Sequence, residues 1–169
     1  MAKSKSSFRR IVKVPKEYLE AVQFGNVIFP PLFQFENGLR LAVDKHLTVC
    51  YGIDWWNITL KTKKPDIWQY AEDMQAKNGL MPWIGASARI AIQKIHLITL
   101  GQLEEIVRNY RSDCIPTLFP SLEFFVGHME CIKRVRNLYS HMFPCMTKGD
   151  CTLAKREIAT LAEHINSKL

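Results

Sequence analysis

Several signatures of familiar protein classes are missing from this chain of 169 residues. It has no Gly-x-Ser-x-Gly nucleophile motif, no glycine-rich phosphate loop and no His-Glu-x-x-His motif of zinc proteases. No apolar run approaches the roughly 18 residues that cross a bilayer, so we expect no membrane segment. The N-terminal residues lack the apolar stretch of a secretory signal, and we therefore expect a cytoplasmic protein.

Cysteine is present, but in no pattern typical of disulfides or metal sites. The cysteines are scattered and odd in number: Cys50, Cys114, Cys131, Cys145 and Cys151. Reduced thiols are the natural interpretation for a cytoplasmic protein. His128 and His141 lie near the last three cysteines in the sequence. The spacings of these residues nevertheless match no paired Cys or His motif of a zinc site. We predict no metal and no cofactor. A zinc site is the alternative, and a measured stoichiometric content of zinc would establish it.

The chain carries an excess of positive charge. Its net charge is +7 and its isoelectric point is about 9.2, which favours anionic partners, nucleic acid first. Hydrophobic residues make up 47% of the sequence, enough for a sizeable core. Residues 1–14 are rich in Lys, Arg and Ser, and we expect a flexible basic arm there, followed by a single domain at 15–169.

The first part of the chain indicates helices separated by a proline pair. Pro15 to Phe24 is typical of a short helix that has proline at its start. Pro30-Pro31 is expected to stop regular structure. An amphipathic helix follows and ends at Gly52, with apolar residues at four-residue steps: Phe35, Leu39, Val43 and Leu47. Val49 to Leu60 mixes β-branched and aromatic residues and could form a short strand.

The middle of the chain adds three helix patterns. We predict helices from Pro65 to Lys77 and from Ser87 to His96. A third is predicted to run to about Tyr110, because Thr99 and Gln102 fit a capping box at its start.

The longest helix pattern covers residues 121–142. Asp150 or Thr152 is expected to cap a last helix over 152–168. A short loop between two long helices makes them antiparallel neighbours. The predicted fold is therefore all-α, with four or five main helices and an antiparallel C-terminal pair.

The most informative stretch, Arg136 to His141, lies late in the longest helix pattern. It brings together a guanidinium, an amide and an imidazole, the groups that a metal-free enzyme needs to break an RNA backbone. Arg136 can hold a phosphate with planar donors, and His141 can transfer a proton near neutral pH. Asn137 lies one turn before His141, so its amide can reach the imidazole. We predict Arg136, Asn137 and His141 as the catalytic residues.

Four residues beside the motif are predicted to contact RNA. Lys133 and Arg134 add positive charge one turn before Arg136. Tyr139 and Ser140 are expected to line the groove, where Tyr139 could stack on a base. Packing is the commoner use of a tyrosine on such a helix, so both roles stay open.

The spacing of the arginine and the histidine is not specific by itself. A histidine five or six residues after an arginine occurs a second time, at Arg40 and His46, where leucine rather than an amide follows the arginine. A solvated helix face, or a buried hydrogen-bond network that stiffens the helix end, would also account for Arg136, Asn137 and His141.

These residues resemble the HEPN superfamily of small α-helical proteins. The hallmark of that family is an arginine, a polar residue, a few intervening residues and a histidine, and Arg136, Asn137 and His141 match it. The resemblance covers roughly residues 33–168. Further segments resemble a HEPN subgroup of abortive-infection and RNA-surveillance proteins: residues 39–40, 51–56, 98–103 and 147–150.

The resemblance implies a bundle of four or five helices that forms a homodimer through the 121–142 helix. Active members of the family are metal-independent endoribonucleases, and many are toxins or phage-defence effectors. One His141 would act as base and its mate as acid, Arg136 would stabilise charge on the phosphate, and Asn137 would orient His141 or donate to the phosphate. The expected products are a 2′,3′-cyclic phosphate and a 5′-hydroxyl. A cognate antitoxin or regulator is a further expected partner.

Two alternatives to a nuclease remain. Some HEPN proteins are catalytically inactive RNA-binding or dimerisation modules. The basic arm and the cluster of Lys61, Lys63 and Lys64 would then form the working surface, and RNA binding would depend strongly on salt.

Overall fold

A computed structural model describes residues 15–79, 93–141 and 145–168, and these residues form helices and turns without a single strand. The all-α prediction is confirmed. The predicted basic arm at 1–14 lies outside the described residues, as does most of the predicted helix at 87–96. Five helices have ten residues or more: α1 (Lys16–Tyr51), α2 (Pro65–Gly79), α3 (Leu100–Asn109), α4 (Leu122–Ser140) and α5 (Lys148–Asn166).

Helix α1 is continuous across the proline pair, so the predicted break at Pro30-Pro31 is wrong. A proline inside a helix removes one hydrogen bond and costs about 3 kcal/mol. The apolar stripe of α1 nevertheless continues on both sides of the pair, with Ile28 and Leu32 buried. This stripe packs along α5, and the burial of a long helix face outweighs the local cost of the prolines.

The end of α1 is where the sequence predicts it. Gly52 has a φ of +88°, and its backbone N–H donates to the carbonyl of Thr48 (2.8 Å). Residues with a side chain rarely adopt this left-handed region, so glycine suits the position.

The predicted short strand at 49–60 is wrong. The chain forms a π-helical segment, Trp56–Leu60, which continues into a short α-turn. Trp55 and Leu60 are fully buried, whereas Ile58 between them is 64% exposed. In a strand Trp56, Ile58 and Leu60 would share one face, so the exposure of Ile58 between the buried Trp56 and Leu60 excludes a strand and fits a helical segment.

Two capping boxes fix the starts of α3 and α5. Thr99 and Gln102 exchange hydrogen bonds as predicted: Gln102 N–H donates to Thr99 Oγ1 (3.2 Å), and Thr99 N–H donates to Gln102 Oε1 (2.8 Å). At α5 the cap is Thr147, with Asp150 as its partner, so the prediction of Asp150 or Thr152 as cap is wrong. The helix consequently begins at Lys148, four residues before the predicted start.

The contacts between α4 and α5 run in opposite order along the two helices. Phe124, at the start of α4, contacts the ring of His164 near the end of α5 (5.2 Å between ring centroids). Arg134, late in α4, pairs with Asp150 at the start of α5 (3.5 Å). The two helices are therefore antiparallel, and their loop places the end of α4 close to the start of α5. The predicted helix end at Met142 lies outside the described residues.

A buried carboxylate joins the same two helices. Glu157 accepts hydrogen bonds from Arg156 Nε (3.0 Å) and Nη2 (2.7 Å), and it pairs with His128 of α4. These bonds lower the pKa of Glu157, Arg156 most and His128 next, against the opposing effect of burial. The hydrogen bond between His128 and Glu157 thus adds to the apolar contact that holds α4 on α5.

No helix within the described part of the chain is long and apolar enough to cross a membrane.

Candidate functional site in the cleft between α1 and α4

The three predicted catalytic residues lie at the C-terminal end of α4, but they differ in exposure to solvent. Arg136 is half-buried and lines a cleft between α1 and α4. Asn137 and His141 are exposed and lie outside the residues that line the cleft. His141 caps α4: its backbone N–H donates to the carbonyl of Asn137 (3.0 Å). Neither of the two exposed side chains is sealed in the interior, so both are accessible to a polymer.

The α1–α4 cleft has a volume of about 330 Å³ and opens to solvent. That volume is at the lower end of the range for small-ligand sites. His96, from a 3₁₀ turn at Lys94–His96, lines it beside the two helices. The helices contribute the following residues: Phe29, Leu32, Phe33, Glu36, Asn37 and Arg40 from α1, and Arg136, Tyr139 and Ser140 from α4.

The guanidinium of Arg136 has no ion pair and no hydrogen-bond partner among residues 15–79, 93–141 and 145–168. A half-buried guanidinium without a partner has lost part of its hydration without compensation. An anion in the cleft would restore that interaction, and a phosphate suits the planar donors of arginine. Arg136 is thus chemically suited to bind an anion, and its catalytic role stays a prediction.

The two neighbouring cations predicted to bind RNA are already paired. Lys133 forms an ion pair with Glu104 of α3, which is buried and also accepts from Arg108 (2.8 Å). Arg134 pairs with Asp150. Neither side chain lines the cleft, so an RNA contact by either one would have to replace an existing ion pair. Their RNA-binding role stays a prediction.

Tyr139 and Ser140 line the cleft, as predicted for a groove. The ring of Tyr139 lies 5.5 Å from the ring of Phe29. It also packs on Gly25, where an added Cβ would approach the ring to 3.0 Å. Glycine at this position lets the tyrosine lie close to α1. Tyr139 thus has a packing role in the structure and also presents an edge to the cleft.

Sequence reasoning missed two residues of the cleft, Arg40 and His96. Arg40 is buried and donates to the carboxylate of Glu36 and to the carbonyl of Ile95. Burial and then the positive charge of Arg40 lower the pKa of His96, while Asp44 raises it. His96 is thus mostly neutral at pH 7. Arg40 and His96 lie 56 positions apart in the sequence, and no local signal joins them.

His46 follows Arg40 by six positions, close to the five that separate His141 from Arg136, but it lies elsewhere. Its Nε2 is 2.7 Å from the carbonyl oxygen of Asp113 and 3.6 Å from the sulfur of Cys50. It does not line the cleft. In the described ranges no group of three or more His, Cys, Asp or Glu side chains could hold a metal ion.

Comparison of the chain with protein-family models, with curated proteins and with solved structures found no match.

Proposed function

We propose that this chain is an endoribonuclease of the HEPN type, with a HEPN-like helical bundle, and that it works as a homodimer without a metal. One observation carries the proposal: the guanidinium of Arg136 lines an open cleft and has no bonded partner within the described part of the chain, while His141 is exposed at the end of α4. A guanidinium that can bind a phosphate and an accessible imidazole on the same helix end suit the cleavage of a phosphodiester.

RNA supplies its own nucleophile, the ribose 2′-OH. Its proton must pass to a base, the leaving 5′-oxygen must receive a proton, and the phosphate gains negative charge in the transition state. One imidazole cannot be base and acid at once, so His141 of each protomer takes one role. Each such proton transfer contributes about 10²–10⁴-fold. Arg136 stabilises the developing charge, and Asn137 orients His141 or donates to the phosphate.

The dimer places two ends of α4 at a twofold axis. Such an interface is isologous, so the same residues of each protomer meet across it. Asn137, Ser140 and His141 are exposed, which leaves the end of α4 accessible to a second copy. Lys133 and Arg134 would exchange their ion pairs for RNA phosphates at the edge of this surface. A defence or toxin role in the cytoplasm, held in check by an antitoxin or other regulator, is the biological setting that we propose.

The test compares wild-type protein with His141→Ala on total cellular RNA, with sequencing of the fragment ends. His141→Ala should abolish cleavage and leave the dimer intact in light scattering. His164→Ala is the matched control, because this histidine lies on α5, contacts Phe124 of α4 and does not line the cleft. Equal loss of cleavage in both variants, or loss of folding in His141→Ala, would support a structural role for His141 instead.

A second candidate is a catalytically inactive RNA-binding or dimerisation module. The observation that favours it is a cluster of lysines that contact aromatic rings away from the cleft. Lys61 Nζ lies 4.3 Å from the centroid of the Trp68 ring, and Lys63 Nζ lies 4.5 Å from that of Tyr110. Lys64, the third lysine of this cluster, pairs with Glu105. RNA binding with strong salt dependence and no cleavage in any buffer would favour this candidate.

A further inference from the structure

One end of the α1–α4 cleft is aromatic. The rings of Phe29 and Phe33 lie 5.8 Å apart, and Phe29 lies 5.5 Å from Tyr139, so the three rings form a row. Phe29 is 44% exposed and Phe33 is 57% exposed. Phenylalanine is usually buried, so a pair exposed beside a cleft presents flat apolar surface to a ligand. The row therefore suits a planar ring such as a nucleobase.

The other end of the cleft is polar. Arg40 lies seven residues after Phe33, about 10 Å farther along α1, and His96 lies close enough for the charge of Arg40 to act on it. In the described part of the chain the half-buried imidazole of His96 has no hydrogen-bond partner. A neutral imidazole carries one N–H donor and one acceptor. His96 and Arg136 both line the cleft, so both can offer donors to a ligand there.

We propose that the α1–α4 cleft is a subsite for one nucleotide of single-stranded RNA, in which the base stacks on Phe33 while Arg136 and His96 bind a phosphate. The inference rests on the proposed function in taking RNA as the polymer. It adds a preference for single strands, because a base inside a duplex would first have to unstack and unpair to reach Phe33. It also gives roles to Phe33 and His96, which no motif in the sequence marks.

The same aromatic row could instead be covered by a second copy of the chain. The unpartnered groups argue against that occupant. A protein surface that covers the cleft would bury the guanidinium of Arg136 and the imidazole of His96, and each would need a new partner. A nucleotide satisfies both ends of the cleft, since it has a flat ring at one end and an anion at the other.

The experiment measures fluorescence anisotropy of a short labelled oligouridylate and of a labelled RNA duplex. All proteins carry His141→Ala, so the probe is not cleaved. Phe33→Ala should weaken binding of the single strand roughly fivefold to 150-fold, the range for one stacked base. His96→Leu replaces the imidazole by an apolar side chain of similar size. It should weaken binding of the single strand roughly tenfold. Tyr18→Ala is the control: Tyr18 is exposed on the same helix but does not line the cleft.

The outcomes separate this inference from the proposed function. Unchanged single-strand affinity in Phe33→Ala and His96→Leu overturns the subsite, even if the wild-type protein cleaves RNA. Selective loss of single-strand affinity supports it, even if the wild-type protein never cleaves. Loss of affinity for both probes together with a shift to monomer in light scattering would assign the aromatic row to the interface with a second copy, and the subsite would be rejected.

Discussion

Arg136 and Arg40 line the same cleft, and replacing each by methionine should have opposite consequences. Arg40 is buried and bonded, whereas Arg136 has no bonded partner among the residues that the structure describes. Methionine resembles the aliphatic stem of arginine and has a similar helix propensity, so the substitution removes charge and hydrogen bonds with little change in helix stability. We expect Arg40→Met to lower the stability of the fold, and Arg136→Met to leave it intact.

The magnitudes follow from the bonds that each change removes. Arg40→Met removes two bonds, one to the carboxylate of Glu36 and one to the carbonyl of Ile95. Hydrogen bonds that involve a charged group contribute about 1.5–3 kcal/mol each. Glu36 still reaches solvent, which reduces its share, so the free energy of unfolding should fall by about 2–4 kcal/mol. Arg136→Met removes no bond to a described residue and should change it by less than about 0.5 kcal/mol.

Urea unfolding followed by far-UV circular dichroism gives both values, and cleavage of a model RNA gives the activity. Arg136→Met should unfold with the wild-type midpoint and cleave about 10²–10³-fold more slowly, the usual cost of losing one group that stabilises transition-state charge. If Arg136→Met unfolds as easily as Arg40→Met, the guanidinium has a structural partner. Arg136 would then not be a free anion-binding group.

Two further predictions concern Glu157 and the thiols. The pKa of Glu157 is lowered in the folded protein. The charge of Glu157 therefore stabilises the fold at pH values above its unfolded-state pKa of about 4.3. This stabilisation is lost as the pH falls through the lower folded-state pKa. Glu157→Gln should therefore lower the urea midpoint at neutral pH and make the midpoint fall less steeply in acid. Glu163→Gln, at an exposed position, should change neither. Equal urea midpoints in the two variants would contradict this prediction. In a kinetic thiol titration the exposed Cys50 and Cys145 should react in the native protein, but Cys114, whose pKa burial raises to about 12, should react only in denaturant; a single rate for all thiols would contradict that order.

The features that the sequence predicted correctly depend on residues close together in the chain. The capping box of Thr99 and Gln102 and the glycine that ends α1 are local in this sense, because their hydrogen bonds span three or four positions. The proline pair in α1 was misread for the opposite reason. Its cost is local, whereas the gain comes from packing on α5, more than a hundred residues later.

The same division applies to the candidate site. The motif of Arg136, Asn137 and His141 spans six consecutive residues and can be found by reading along the chain. The ion-pair partners of the cations beside the motif are distant in sequence. Lys133, for example, pairs with Glu104 on a different helix. Arg40 and His96 join the cleft through tertiary packing alone, which no periodicity or spacing indicates.

The chemistry of the RNA ends tests the central claim most directly. Wild-type protein incubated with RNA in a metal chelator should leave a 2′,3′-cyclic phosphate on one fragment and a 5′-hydroxyl on the other, and His141→Ala should leave the RNA intact. Activity that disappears in chelator and returns with magnesium, or fragments that carry 5′-phosphates, would contradict a mechanism in which Arg136 and paired imidazoles cleave the backbone.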